Sequence, residues 1–303
     1  MYAVETQNLT KKYKKNVAVN DLNMQVPEGI IYGLLGKNGA GKTTTIRMIM
    51  GLTKPDLGII SVFGKNTEKE RMWALKNIGA IVETPGFYGN LTAQKNLAIT
   101  ADLRDIDMSR VDQVLEIVGL TAEASKKVKN YSTGMKQRLG IANALIHSPK
   151  VLILDEPTNG LDPEGINQLR DFIQSLAKKL KITVILSSHI LSEVEQIADY
   201  IGIIHKGTLI EQFKISDSGF NKQDYVLLEV DQNSQAKEIL TKMELDYQQV
   251  DNLFKIFCAK DQNGQISREL VHNGITIYNM SSIKKSLEDK FLYAVGKAKE
   301  SVL

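Results

Sequence analysis

Hydrophobic positions change period several times along the chain, and each change marks an element. Residues 1 to about 32 alternate as strands do, with Pro27-Glu28-Gly29 as a turn before Ile30-Ile-Tyr-Gly-Leu-Leu. That last run is apolar on both faces, which predicts a central strand in a covered sheet. A glycine-rich turn follows, then Thr44-Thr-Ile-Arg-Met-Ile-Met with helical spacing. Between 91 and 148 the period stays helical. Leu91–Leu97, Arg110–Val118 and Ser132–Ile146 predict successive helices with no strong strand between them. The strand pattern returns at Val151-Leu-Ile-Leu-Asp, Ile182-Thr-Val-Ile-Leu and Tyr200-Ile-Gly-Ile-Ile, with an amphipathic helix over Glu164–Leu180. Such alternation predicts an α/β layer on a largely parallel sheet.

After Gly219 the texture changes. Tyr225-Val-Leu-Leu-Glu-Val, Leu253-Phe-Lys-Ile-Phe and Ile275-Thr-Ile-Tyr predict strands, and segments near 234–243, 265–272 and 284–297 predict helices. The expected organisation is a main domain over 1–215, with a helical part at about 88–148, and a small α+β domain over 220–303.

Bulk properties narrow the function classes. A chain of 303 residues has ample interior for a core, and 43% hydrophobic with 24% charged residues is ordinary for a globular protein. A net charge of +3 carries no argument for a basic nucleic-acid-binding face, so no nucleic-acid partner is expected. The lone Cys258 excludes an internal disulfide and suits a reducing cytoplasm. Met1-Tyr-Ala-Val-Glu-Thr does not predict a signal peptide. No stretch approaches the ~18 apolar residues of a membrane span. Service to a membrane would therefore run from the water side, through a partner.

Chemistry concentrates in a few motifs. Gly36-Lys37-Asn38-Gly39-Ala40-Gly41-Lys42-Thr43 fits G-x-x-x-x-G-K-[ST] in full, between a predicted strand and a predicted helix. Glycines let backbone N–H groups turn inward onto phosphate oxygens, and Lys42 would bridge the β- and γ-phosphates. Thr43 would offer its hydroxyl to Mg²⁺, and Thr44 follows at the positive end of the helix. Val151-Leu-Ile-Leu-Asp155-Glu156 is a buried strand ending in two acids. Asp155 at its edge can organise Mg²⁺, and Glu156 can polarise an attacking water as general base. Tyr131-Ser132-Thr133-Gly134 opens a helix with a hydroxyl and free N–H groups. Taken alone it is a second anion site or a plain helix cap, the cap being the simpler.

At this point the chain resembles the ATP-binding cassette family, the ATPase subunits of ABC transporters, over about residues 2–215. The P-loop matches the family's Walker A, and Leu154-Asp155-Glu156-Pro157-Thr158 its Walker B. Ser132-Thr-Gly-Met-Lys-Gln matches the signature loop, Gly160-Leu-Asp-Pro163 the D-loop and Ser188-His189 the switch histidine. The resemblance implies a P-loop NTPase with a parallel-sheet core, an N-terminal antiparallel part, a helical insertion and the small α+β domain. It also implies ATP and Mg²⁺ as cofactors and a head-to-tail dimer. In that dimer each ATP lies between one P-loop and the Ser132 and Gly134 of the second subunit. His189 would reach the γ-phosphate, though by itself it reads equally as a capping or core histidine. Tyr13 would stack on adenine, although a lone tyrosine is more often a packed surface aromatic; Lys11, Lys12, Lys14 and Lys15 beside it are a solvated face.

Two positions depart from the family pattern. Thr133 stands where glycine is commonest. Glu83, within Ile78-Gly-Ala-Ile-Val-Glu83-Thr-Pro-Gly-Phe-Tyr88, stands where glutamine is usual, at a metal-contacting position that also touches the membrane subunit. Glutamate there resembles the branch that includes bacitracin-export and lantibiotic self-protection ATPases; either Glu83 couples hydrolysis to transport, or it merely replaces that glutamine with little consequence. The tail with Lys284-Lys-Ser-Leu-Glu-Asp289 is similar to that branch too. The implied function is the cytoplasmic ATPase of an exporter, peripheral on the inner face of the membrane, with permease subunits docking near Glu83–Tyr88. Its cargo would be a peptide antibiotic. The alternative is a non-transport cassette acting on a nucleic-acid or ribosome partner, but such proteins usually carry two cassettes and this chain has one P-loop. A DNA-repair cassette would need a longer insertion, and loss of catalysis is disfavoured by the presence of Lys42, Asp155, Glu156 and His189.

Overall fold

The computed structural model describes residues 1–14, 16–217, 225–250, 253–258 and 262–283. Two compact units separate, one over Met1–Lys214 and a second beginning at Ile215.

In the first unit the chain opens with strands β1 (Tyr2–Tyr13) and β2 (Asn16–Pro27), which pair antiparallel. Their alternate buried residues, Val4, Leu9, Leu22, Met24 and Val26, form one apolar face. Strand β3 (Ile31–Leu35) is buried throughout and runs into the P-loop and helix α1 (Lys42–Ile49). Next come β4 (Leu57–Val62), β5 (Lys65–Asn66), α2 (Arg71–Asn77) and β6 (Ile78–Ile81). Three helices follow as expected: α3 (Ala93–Leu103), α4 (Ser109–Ile117) and α5 (Thr133–Leu145). Then the chain alternates β7 (Val151–Asp155), α6 (Pro163–Leu180), β8 (Thr183–Ser188), α7 (Leu191–Ile197), β9 (Tyr200–His205) and β10 (Thr208–Lys214).

The main sheet has the order β10-β9-β3-β8-β7-β6. Its members from β9 to β6 run parallel, and β10 is added antiparallel at the edge. Layers on both faces explain why β3, β7 and β8 are continuous apolar runs rather than alternating ones. A smaller antiparallel sheet, β2-β1-β4-β5, joins the main sheet in one core through Leu22, Met24, Tyr32, Ile46, Ile60 and Ile153. The α/β architecture expected from the sequence is the one present. Because β3, β8 and β7 are neighbours, their C-terminal ends carry the P-loop, His189 and Asp155–Glu156 to one edge of the sheet.

The second unit contains β11 (Tyr225–Val230), α8 (Asn233–Lys242), β12 (Asp246–Val250), β13 (Leu253–Phe257), α9 (Asn263–His272) and β14 (Ile277–Ile283). Its antiparallel sheet has the order β12-β13-β11-β14, a split β-α-β arrangement. Its core is its own, built from Val226, Leu228, Phe254, Ile256, Ile266 and Leu270. The helix expected near 284–297, and the tail at 284–289, lie outside the described residues.

Several elements escaped the hydrophobic pattern. Strand β4 exposes its first three residues, β10 keeps most of its residues only partly buried, and β12 reads Asp-Tyr-Gln-Gln-Val. None presents a clear apolar period. Helix α7 has 7 residues, too short to show one. Among the described residues no helix is long and apolar enough to cross a membrane.

Candidate functional site

The glycines of the P-loop are there for shape. Gly41 holds φ 108, and a Cβ on it would sit 2.6 Å from the Ala18 carbonyl oxygen. Gly36 has an ordinary φ, but a Cβ there would lie 2.5 Å from the Ile204 carbonyl oxygen. Strand β2 and the end of β9 therefore press on the loop, and only glycine admits them. The turn after β9 adds a brace: Gly207 donates its N–H to Ala40 at 2.8 Å and accepts that of Asn20 at 2.9 Å.

Lys42 is 5% exposed and folds back into the loop, its Nζ donating to the Gly36 carbonyl at 2.6 Å. The same ammonium lies 3.0 Å from Glu156 Oε1. The other Glu156 oxygen, Oε2, meets His189 Nδ1 at 2.7 Å. An ionised carboxylate only accepts, so Nδ1 carries the proton there. The three residues expected to do chemistry thus form one row, Lys42–Glu156–His189, although they come from three separate elements. Glu156 sits in it at φ 48, a conformation unusual for a side chain larger than glycine. Ser187 supports that turn by accepting the Glu156 N–H at 2.9 Å and donating its hydroxyl to Asp155 Oδ1 at 2.6 Å.

This row opens onto a cleft of about 840 Å³ lined by Tyr13, Asn38, Gly39, Gly41, Lys42, Thr43, Thr44, Glu156 and His189. Of the remaining P-loop residues, Gly36 and Lys37 turn their carbonyls to Lys42, and Ala40 is packed into the core. Asn16, Val17, Ala18, Asn159 and Lys206 also line the cleft and were not singled out by the sequence reading. Lys206 had a signal, since it precedes Gly207 in the β9–β10 turn; the others had none.

Ser132 and Gly134 lie elsewhere. They line a separate cleft of about 460 Å³ with Thr133, Gly160, Leu161, Asp162, Glu164, Gly165 and Gln168. Ser132 caps α5, accepting the Met135 N–H at 3.2 Å. The two clefts share no lining residue, yet neighbours in the chain, Asn159 and Gly160, serve one each. Glu83 is in neither cleft. It is 64% exposed, at φ 64, and its carboxylate is paired with Arg47 on α1.

Among the described residues no group of three or more His, Cys, Asp or Glu could hold a metal ion by itself. A divalent cation here would complete its shell with phosphate oxygens or water. The residues fit one: Thr43 supplies a hydroxyl at the cleft, and Asp155 is 4% exposed with a neutral hydroxyl as its partner. A buried carboxylate so placed is relieved by a hard cation, for which oxygen donors suit.

The chain is similar to known proteins. Residues 19–159 match the ABC transporter family. The bacitracin transport ATP-binding protein BcrA of Bacillus licheniformis is 46% identical over 298 residues, covering 97% of each chain. The lantibiotic transport ATP-binding protein SrtF of Streptococcus pyogenes is 45% identical over 207 residues, 68% of this chain and 89% of that one. Among solved structures, the ATP-binding subunit of an ABC transporter superposes with a TM-score of 0.63 at 30% identity, over 72% of this chain and 92% of that one.

Proposed function

Since the chain belongs to the ABC transporter family of ATP-binding, ATP-hydrolysing subunits, we propose that it uses Mg-ATP to drive export of a peptide antibiotic through separate membrane subunits. The observation that carries the catalytic part is the Glu156 carboxylate held between Lys42 Nζ at 3.0 Å and His189 Nδ1 at 2.7 Å, at the mouth of the P-loop cleft. ATP would lie along that cleft with its base toward Tyr13 and its phosphates on the backbone of residues 38–44. Lys42 would then exchange its contact with Glu156 for the phosphates, which frees a carboxylate to accept a proton from water. His189 keeps Glu156 oriented and brings a polar nitrogen to the γ-phosphate. Mg²⁺, held by Thr43 and Asp155 with phosphate oxygens, would supply charge neutralisation as the terminal phosphate departs.

The separate cleft at Ser132 and Gly134 supports a second copy as partner, each chain presenting that loop to the ATP of the other. The cargo reading rests on BcrA, a bacitracin transport protein, and SrtF, a lantibiotic transport protein. Work of this kind places the chain on the cytoplasmic face, docked on permease subunits through residues 83–88. The test is Glu156→Gln, which keeps shape but cannot take a proton. It should retain ATP binding, accumulate as an ATP-bound dimer on size exclusion and lose at least about 100-fold in turnover. Hydrolysis at the parental rate would refute Glu156 as the base. For cargo, cells lacking the gene should lose resistance to bacitracin or a lantibiotic, and unchanged survival against both would refute that assignment.

A further inference from the structure

Backbone pairing between β7 and β8 ends at Asp155 opposite Ser187. Beyond that point the ladder does not hold the two segments together, yet they carry Glu156 and His189, which must meet at 2.7 Å. Side chains take over. Thr158, two residues after Glu156, donates its hydroxyl to Glu193 Oε2 at 2.7 Å. Ser188, immediately before His189, donates to the same oxygen at 3.1 Å. Ser188 Oγ also accepts the N–H of Ile190, immediately after His189, at 3.0 Å. A hydroxyl has one proton and two lone pairs, so both roles coexist; the charged acceptor takes the proton in preference to the Ile190 carbonyl 3.4 Å away. His189 is thereby bracketed on both sides by one serine, and that serine is tied to the segment after β7 by one half-buried carboxylate on α7. Thr158, Ser188, Ile190 and Glu193 do not line the nucleotide cleft. They can influence the reaction only through the residues they hold.

We propose that Glu193 is a positioning residue for hydrolysis: by accepting from Thr158 and Ser188 it sets the spacing across which Glu156 and His189 meet. This rests on the catalytic reading of those two residues given above. Misplacement of a reacting group by about 1 Å can cost on the order of 100-fold in rate without weakening ground-state binding. The expected signature is a split between turnover and affinity.

Steady-state ATPase assays on the full-length chain test it. Glu193→Ala should lower kcat by about 10-fold or more while KM for ATP stays within about twofold. Glu193→Gln, whose amide oxygen still accepts both hydroxyls, should recover a substantial part of kcat. Thr158→Val combined with Ser188→Ala should reproduce the loss, and adding Glu193→Ala to that pair should cost little more. Unchanged kcat in Glu193→Ala overturns the proposal, as does a loss shared equally between kcat and ATP affinity with no recovery in the Gln variant. Should Glu193→Ala fail to fold, the Thr158→Val, Ser188→Ala pair decides by the same criterion. Glu156→Gln run alongside separates the two levels. If it is inert while Glu193→Ala is fully active, only the role of Glu193 falls; if it hydrolyses at the parental rate, the catalytic reading itself has failed.

Discussion

Glu156 shows what a single residue carries at this site. At φ 48 it occupies the left-handed region, a placement costing on the order of 1–3 kcal/mol that persists only when its surroundings hold it. The hydroxyl of Ser187 on its N–H, Lys42 on one carboxylate oxygen and His189 on the other are those surroundings. His147 is a residue of the opposite kind, set in the fold rather than the site. Its Nε2 donates to the Ile78 carbonyl at 3.0 Å, and its buried Nδ1 has no partner among the described residues. Burial first, and the nearby Arg104 second, push its pKa below the ordinary 6.5. The native state therefore prefers the neutral ring. Above pH 6.5 folded and unfolded chains both hold it neutral and nothing is at stake; as pH falls through 6.5 the unfolded chain binds the proton first and stability drops. Thermal melts between pH 7 and about pH 5 should show this fall. His147→Gln, which keeps a donor for Ile78, should show a shallower one, and identical slopes would exclude the ring as the cause.

Among elements, the ends of strands and helices do the positioning. Asp162 caps α6 by accepting the Gly165 N–H at 2.9 Å, with Pro163 in the first turn, so the D-loop is anchored where the second cleft begins. The loop after β6 is tied to α1 by Glu83 and Arg47, both substantially exposed. Such a pair contributes at most about 1 kcal/mol. Glu83→Ala should accordingly leave the melting temperature within a few degrees and keep much of the purified subunit's ATPase rate. If Glu83 couples hydrolysis to transport, cells carrying Glu83→Ala in the whole transporter should nonetheless lose resistance. Survival equal to the parent would exclude a coupling role. The longer helices and the central strands were legible because each buries a regular stripe or a continuous run. The edge strands β10 and β12 were not, since an exposed edge imposes no apolar pattern.

At the scale of the whole molecule, the nucleotide cleft and the Ser132–Gly134 cleft are distinct surfaces of one unit. If they complete each other between copies, Lys42→Ala and Ser132→Arg chains should each be inactive alone and recover partial ATPase activity when mixed. A mixture as inactive as its components would speak against complementation. The unit beginning at Ile215 has its own core, and every nucleotide motif precedes it. A chain ending at Lys214 should therefore fold and bind ATP with affinity within a fewfold of the full-length protein. Insolubility, or loss of ATP binding, would show that the second unit belongs to the ATPase core.

The sequence by itself determined the α/β class, the P-loop and the two acids after Leu154, because each depends on a local run: a buried strand, a glycine turn, a helix start. It also marked Ser132, Gly134 and His189 as candidates. Only the tertiary structure decided which of them meet. Lys42, Glu156 and His189 become neighbours because β3, β8 and β7 lie side by side, an order set by long-range strand pairing rather than by any local pattern. The same pairing brought in Ser187 and Glu193, whose hydrogen bonds reach 31 to 35 residues along the chain and leave no trace in the spacing of either partner.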